Sequence, residues 1–306
     1  MNARPAAASI ASSLSAVRVY GAGRTGLAVA RLAAARGTPV ELWNRTPLEG
    51  VRAELATGIP LEVAPAPAPA AAHLWLLAVS DDAIEEVARA LAAGLDREGA
   101  PRPRAAAHCA GARSAAVLDA LRRAGIACGS WHPAMTFRGV DSDAEALAGA
   151  CAAIEGDADA CTLLAAFSEA LGVAWHPLAA RHKAGYHSAL VLASNGRVVL
   201  DGAARRLLAE AALDASTARR VLAPLVARTE ENLRASEPTD ALTGPVARGD
   251  AETVRAMLES LRGQPEIERL YRALAAVALS LVPPEARGDG HRALAVLIGT
   301  EEAPSS

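Results

Sequence analysis

The sequence predicts a doubly wound α/β sheet followed by an all-helical region, on three observations. Short apolar β-type runs alternate with Ala/Leu-rich helical segments over the first part of the chain. The first β-α-β unit carries a glycine-rich turn between strand and helix. Beyond about Pro177 the alternation stops and the chain becomes almost wholly helix-forming. The boundary is placed near Leu178, so residues 17–178 form the sheet domain and 179–300 the helical domain. Residues 1–16, rich in Ala and Ser, read as a disordered leader, and 301–306 as a tail.

Val17-Arg18-Val19-Tyr20 is the first strand, and it runs into Gly21-Ala22-Gly23-Arg24-Thr25-Gly26. A helix from about Leu27 to Ala35 is closed by Gly37, and Pro39 to Trp43 is the second strand. Ala64-Pro65-Ala66-Pro67-Ala68-Pro69 is an extended, exposed connector. His73 to Val79 is the third strand, and Ser80-Asp81-Asp82 cap a helix from Ala83 to about Ala93. Ala105 to Cys109 is a strand ending at Gly111, Leu118 to Ala124 a helix, and Ile126 to Trp131 a strand. Ala152–Gly156 and Val173–His176 are weaker strands around a helix over Ala158–Leu171. From about Ala180 to Leu213 the chain is almost wholly helix-forming, and the helix carrying Lys183 reads as largely buried with a polar seam along its first half. Turn residues at 236–240, 243–245, 263–265 and 282–284 divide the rest.

Composition narrows the function classes. The 306 residues carry a formal net charge of -3 with no basic block, so nucleic acid and anionic membranes are not expected partners. No apolar run reaches the roughly 18 residues a membrane span needs. The four cysteines form no CxxC pair and no Cys/His ligand cluster, so free thiols in a cytoplasmic protein and no metal site are expected.

The glycine turn points to a dinucleotide. Gly21 permits the tight turn, Gly23 lets the backbone approach a pyrophosphate, and Gly26 lets helix and strand pack closely. Ala22, Arg24 and Thr25 complete a helix N-terminus whose free N–H groups and dipole favour phosphate. The second strand ends in Asn44-Arg45-Thr46 rather than an acidic residue, which suits the 2′-phosphate of NADP(H) over the ribose hydroxyl of NAD(H). Ala78, Val79, Ser80 and His108 end strands on the carboxyl edge, where ligands bind in such sheets.

Hydride chemistry also needs a proton source. Of 31 basic side chains only Lys183 is a lysine, and it is the one whose proton is released at an accessible pKa. At 100° per residue Lys183, His187, Leu190, Ser194 and Asp201 share one stripe, with Asn195 about 120° away. His132, in Trp131-His132-Pro133, sits at the carboxyl edge of its strand. Thr243-Gly244-Pro245 and Arg248 offer a grip for a carboxylate and read equally as turn and cap chemistry around Asp250.

From Val17 to Leu297 the chain resembles bacterial oxidoreductases that join a Rossmann-like domain to a helical domain of unknown function. The matching stretches are Gly21–Gly26, Leu77–Ile84, Gly129–Pro133 with Thr136-Phe137, Lys183–His187 with Ala193–Asn195, and Leu242–Asp250. The wider group includes ketopantoate reductase, pyrroline-carboxylate reductase and phosphogluconate dehydrogenase. The resemblance implies NADP(H) as cofactor and a homodimer formed through the helical domain. It implies Lys183 as proton donor, with His187 where such enzymes keep an asparagine. It also implies a substrate in the interdomain cleft, with the nicotinamide near Ser80 and His108. The first expectation is an NADPH-dependent reductase of a small 2-oxo acid or related carbonyl, with a branched 2-oxo acid the first choice of substrate. His187 or His132 would orient the carbonyl oxygen, and Arg248, Asn195, Ser194, Thr243 and Gly244 would hold the substrate. An imine reductase of pyrroline-carboxylate type and a non-catalytic NADP(H)-binding regulator are the alternatives.

Overall fold

The computed structural model describes residues 16–300. The leader and tail read from the sequence lie outside the described residues, apart from Ala16. The chain falls into two compact units, one ending at Gly196 and the other beginning at Arg197.

The first unit is built on one eight-stranded sheet of order β3-β2-β1-β4-β5-β6-β7-β8. The strands are β1 (Val17–Tyr20), β2 (Val40–Asn44), β3 (Leu61–Val63), β4 (Leu74–Leu77), β5 (Ala105–His108), β6 (Ala127–Pro133), β7 (Cys151–Gly156) and β8 (Ala174–Pro177). Strand order reverses beside β1, which pairs with both β2 and β4, so the glycine-rich turn after β1 lies at the topological switch point. The parallel sheet expected from the sequence is interrupted once: β7 runs antiparallel to β6, with Ser130 opposite Glu155.

Helices α1 (Arg24–Ala35), α2 (Val51–Leu55), α3 (Ile84–Gly94), α4 (Asp119–Arg123), α5 (Ser142–Ala148) and α6 (Ala158–Leu171) connect the strands. Side chains alternate across the pleat and give each face its own core. Val17, Val19, Leu42, Leu74 and Leu76 pack on the side that holds α1 and α6. Tyr20, Trp43, Trp75 and Leu77 pack on the side that holds α3. Both faces being covered explains strands that are buried throughout, such as β1 and β4.

The helical segment from Ala180 onward departs from the largely buried helix expected around Lys183. It breaks into α7 (Lys183–Ala193) and α8 (Asn195–Glu210), with Ser194 at φ -111° and ψ -74° between them. In α7 only Lys183 is buried, and in α8 no residue is. The division into units thus falls at the start of α8, later than Leu178.

The second unit continues with α9 (Ala215–Ala235), α10 (Pro238–Ala241), α11 (Pro245–Arg248), α12 (Ala251–Ser260), α13 (Pro265–Leu281) and α14 (Asp289–Ile298). Val246, Val254, Leu258, Ala275, Leu279, Leu294 and Ile298 form its core. Its first helices are sparsely covered: Val198 is 73% and Leu225 62% exposed. Among the described residues no helix is long and apolar enough to cross a membrane.

Candidate active site

The glycine-rich turn has the shape that a pyrophosphate cradle needs. Gly21 adopts φ +106°, and a Cβ there would stand 2.8 Å from the Ala78 carbonyl oxygen. A Cβ on Gly26 would run into the Gly21 carbonyl. On Gly23 it would meet nothing nearer than 4.0 Å. The first two glycines let β1, β4 and α1 close up, and Gly23 leaves the space in front of the helix open. Gly23 is the N-cap of α1 and supplies no capping side chain, so the first N–H groups at Arg24, Thr25 and Gly26 lack a side-chain cap.

The residues after β2 divide their labour. Asn44 Oδ1 accepts from the Ala22 N–H at 3.1 Å, and its Nδ2 donates to the Thr46 carbonyl at 2.7 Å. Asn44 therefore shapes the turn, while Arg45 and Thr46 are exposed. A cavity of about 270 Å³ is lined by Gly21, Gly23, Arg45, Thr46 and Ser80, among others. Arg52, which sequence reasoning passed over, also lines it. Its Nε and Nη2 donate to the Ala22 carbonyl at 3.1 and 2.8 Å, so two guanidiniums stand at this cavity. Nothing in the local sequence marks Arg52. Its role depends on α2 folding back over the turn.

At the end of β4, Ala78 and Val79 line the same cavity as Ser80. The side-chain cap read for Ser80 and Asp81 is not made, and only the Ser80 carbonyl is used, accepting from Ala83 N–H at 2.9 Å. His108, at the end of β5, is committed to its own turn. Its Nε2 meets the Ser114 carbonyl at 3.1 Å, and its Nδ1 accepts from the Ala110 N–H at 3.1 Å. That pattern fixes the Nε2–H tautomer of a neutral ring. Burial, then the nearby Lys183 charge, push its pKa down to about 4.

Lys183 opens α7 and is 1% exposed. Its Nζ donates to Ser130 Oγ on β6 at 2.6 Å. Burial lowers its pKa below 10.5, opposed by Glu155, Cys109 and Asp81. The positive end of the α7 dipole is a further reason for an ammonium to be disfavoured there. Glu155, across from Ser130 in the sheet, has its Oε2 fixed by the Ala115 N–H at 2.8 Å.

His132 and His187 meet edge to face with ring centroids 5.4 Å apart, and Tyr186 packs on His132 at 6.3 Å. The Nδ1 atoms of both histidines are buried without a hydrogen-bond partner. Gly111 makes room for the pair: a Cβ there would lie 2.6 Å from His187 Cε1 and 2.8 Å from His132 Nε2. Burial, then His187 and Lys183, push the His132 pKa down to about 4, so its ring is neutral near pH 7. Both histidines line a cavity of about 540 Å³ with Leu190, Ser194 and Asn195. A continuous helix would carry Asn195 away from the stripe, and the break at Ser194 is where that geometry changes. Lys183 is not a wall of this cavity.

In the second unit Asp201 is bound to Arg205, away from the stripe's purpose as read from the sequence. Gly244, at φ +95°, precedes Pro245 at the first turn of α11, and Gly249 ends that helix left-handed. Asp250 caps α12 by accepting from the Thr253 N–H at 3.1 Å. The turn-and-cap reading of this segment is thus realised, and Thr243 and Arg248 are exposed on it.

These features define a Rossmann-type α/β protein with an appended helical unit. Residues 150–278 match the family model described as Domain of unknown function (DUF2520). No curated protein matches the sequence. Among solved structures, the chain is similar to protein TM1727 from Thermotoga maritima, at 21% identity and a TM-score of 0.67, covering 89% of this chain and 100% of that one. It is also similar to a reductive aminase from Aspergillus terreus in complex with NADPH and ethyl levulinate (17% identity, TM-score 0.63, covering 94% and 100%). A third is the Plasmodium falciparum pyrroline carboxylate reductase with NADP bound (9% identity, TM-score 0.56, covering 88% and 98%). At these identities the likeness establishes the fold.

Proposed function

We propose that the protein is an NADP(H)-dependent reductase of a C=O or C=N bond. The observation that carries this reading is the open space in front of Gly23 at the uncapped start of α1, flanked by Arg45 and Arg52. Phosphates fit an N–H-lined helix start, and guanidiniums suit a 2′-phosphate better than any acidic residue would. The NADPH and NADP bound by the similar aminase and pyrroline carboxylate reductase support the same cofactor. When bound, NADPH supplies the hydride. The chain's own task is then to orient the substrate and deliver a proton to its oxygen or nitrogen.

The residues for that task lie on the carboxyl side of β6. His132 and His187 face the larger cavity, where a neutral imidazole N–H donates to a carbonyl or imine acceptor. Lys183, tied to Ser130, is the proton reserve behind them. Lys183→Ala is expected to abolish turnover and leave NADPH binding nearly intact, and equal loss of both would refute the role. The branched 2-oxo acid and the pyrroline-type imine both belong to this class. Consumption of NADPH against a panel of 2-oxo acids, ketones and cyclic imines tests it. Bound NADPH that no member of the panel consumes would favour the regulator instead.

The same reading takes the protein to be a cytoplasmic homodimer. Free cysteines suit a reducing compartment. Val198, Val199, Val221 and Leu225 leave an apolar surface on α8 and α9 that a second copy would cover. Light scattering of the purified protein decides the oligomeric state.

A further inference from the structure

Two cavities of the first unit differ in electrostatic character. The smaller, at the glycine-rich turn, has Arg45 and Arg52 in its lining. The larger, about 540 Å³, has no arginine, lysine, aspartate or glutamate in its lining. Its polar groups are His132, His187, Thr136, Ser194 and Asn195, and the rest of the wall is apolar, with Met135, Leu190 and Val191 the largest. From this contrast we infer that the substrate is an uncharged ketone or aldehyde, or the imine formed from one, with an apolar body and no carboxylate. The inference rests on the reductase reading and narrows its substrate class.

A carboxylate leaving water needs a cation or several oriented donors in return. Lys183, whose charge reaches His132, has its amine turned to Ser130 in the interior, outside the cavity wall. His132 does not replace it, because burial keeps its ring neutral near pH 7. Two imidazoles and three neutral hydroxyl or amide side chains in the wall instead match a single carbonyl oxygen or imine nitrogen. This departs from the branched 2-oxo acid first expected.

The experiment is a matched pair sharing one carbon skeleton, 4-methyl-2-pentanone against 4-methyl-2-oxopentanoate. NADPH consumption is followed with and without added methylamine, and binding of each compound to the NADP(H)-loaded protein is measured separately by saturation-transfer NMR. The neutral ketone, or its imine, is expected to give at least about tenfold higher kcat/KM and the tighter binding. Higher kcat/KM for the oxo acid overturns the inference. If neither compound is consumed, the binding comparison decides this inference, and the reductase reading is decided by the wider panel. Tighter ketone binding then supports an uncharged ligand, and equal or tighter oxo-acid binding overturns it. Thr136→Arg places a guanidinium on this exposed stretch of the wall and should shift the ratio toward the oxo acid by about tenfold. An unchanged ratio shows that cavity charge does not select the ligand and likewise overturns the inference.

Discussion

Gly111→Ala is a steric probe of the histidine pair. Gly111 is buried, and its φ lies outside the positive region, so alanine is compatible with the backbone itself. The added methyl would stand 2.6 Å from His187 Cε1 and 2.8 Å from His132 Nε2, where ordinary contact begins at 3.4 Å. The methyl would also overlap His187 Nδ1, so the His187 ring must retreat by about 1.3 Å and His132 by about 0.6 Å. A misplacement near 1 Å at a reacting centre costs roughly 10²-fold in rate, or about 2.7 kcal/mol of transition-state stabilisation. Overpacking of this kind costs about 1–3 kcal/mol of stability, toward the low end if the imidazoles swing toward the cavity. The assay is kcat/KM for NADPH-dependent reduction, with NADPH affinity and Tm measured on the same preparation. Turnover should collapse while NADPH affinity stays within about twofold, because the glycine-rich turn is untouched. Unchanged turnover with a lowered Tm would mean that the rings moved and the reaction did not need them. Unchanged turnover and Tm would mean that they do not stand where described.

Gly26→Ala sets a methyl against the Gly21 carbonyl and 3.3 Å from Ala78 Cβ. It should lower stability by about 1–3 kcal/mol in a thermal melt and remove NADPH binding together. Arg45→Ala should weaken NADPH at least about tenfold and leave NADH nearly unaffected in a fluorescence titration, the worth of one charge-assisted hydrogen bond. Arg52→Ala should weaken both cofactors, since it also releases the Ala22 carbonyl. For pH, His108 and His132 titrate near 4 when folded against 6.5 as free side chains. The unfolded chain binds more protons between those values, so stability is full above about pH 6.5 and declines toward pH 4. His108, the more buried, accounts for up to roughly 3 kcal/mol of that loss. Denaturant melts of wild type and His108→Gln across this range should show the slope and its reduction.

The nucleotide half of the molecule was legible because its signals are local. Strand, Gly21–Gly26 turn and helix follow one another in the chain, and each glycine has a steric reason visible in the turn itself. Other features depend on partners distant in sequence. Strand β3 was missed because Leu61-Glu62-Val63 is short and largely exposed. The antiparallel direction of β7 leaves no mark in residue pattern, since both directions alternate alike. The break at Ser194 sits among helix-forming residues on either side. His108 looked available at a strand end, yet the turn after β5 occupies both of its nitrogens. Lys183 stands out in the sequence as the sole lysine, but its burial on Ser130 depends on a strand more than fifty residues away. Exposure along α7 defeated its reading as a largely buried helix, because alanine and valine carry the same sequence signal whether this chain or a second one covers them.

The central claim is tested most directly by hydride transfer itself. NADPH carrying deuterium on the transferable C4 position is mixed with the protein and the ketone and imine panel, and products are read by mass spectrometry. The account predicts one deuterium on the reduced carbon of an uncharged substrate, lost in Lys183→Ala and retained in Arg248→Ala. NADPH that binds tightly while every product remains unlabelled would contradict it.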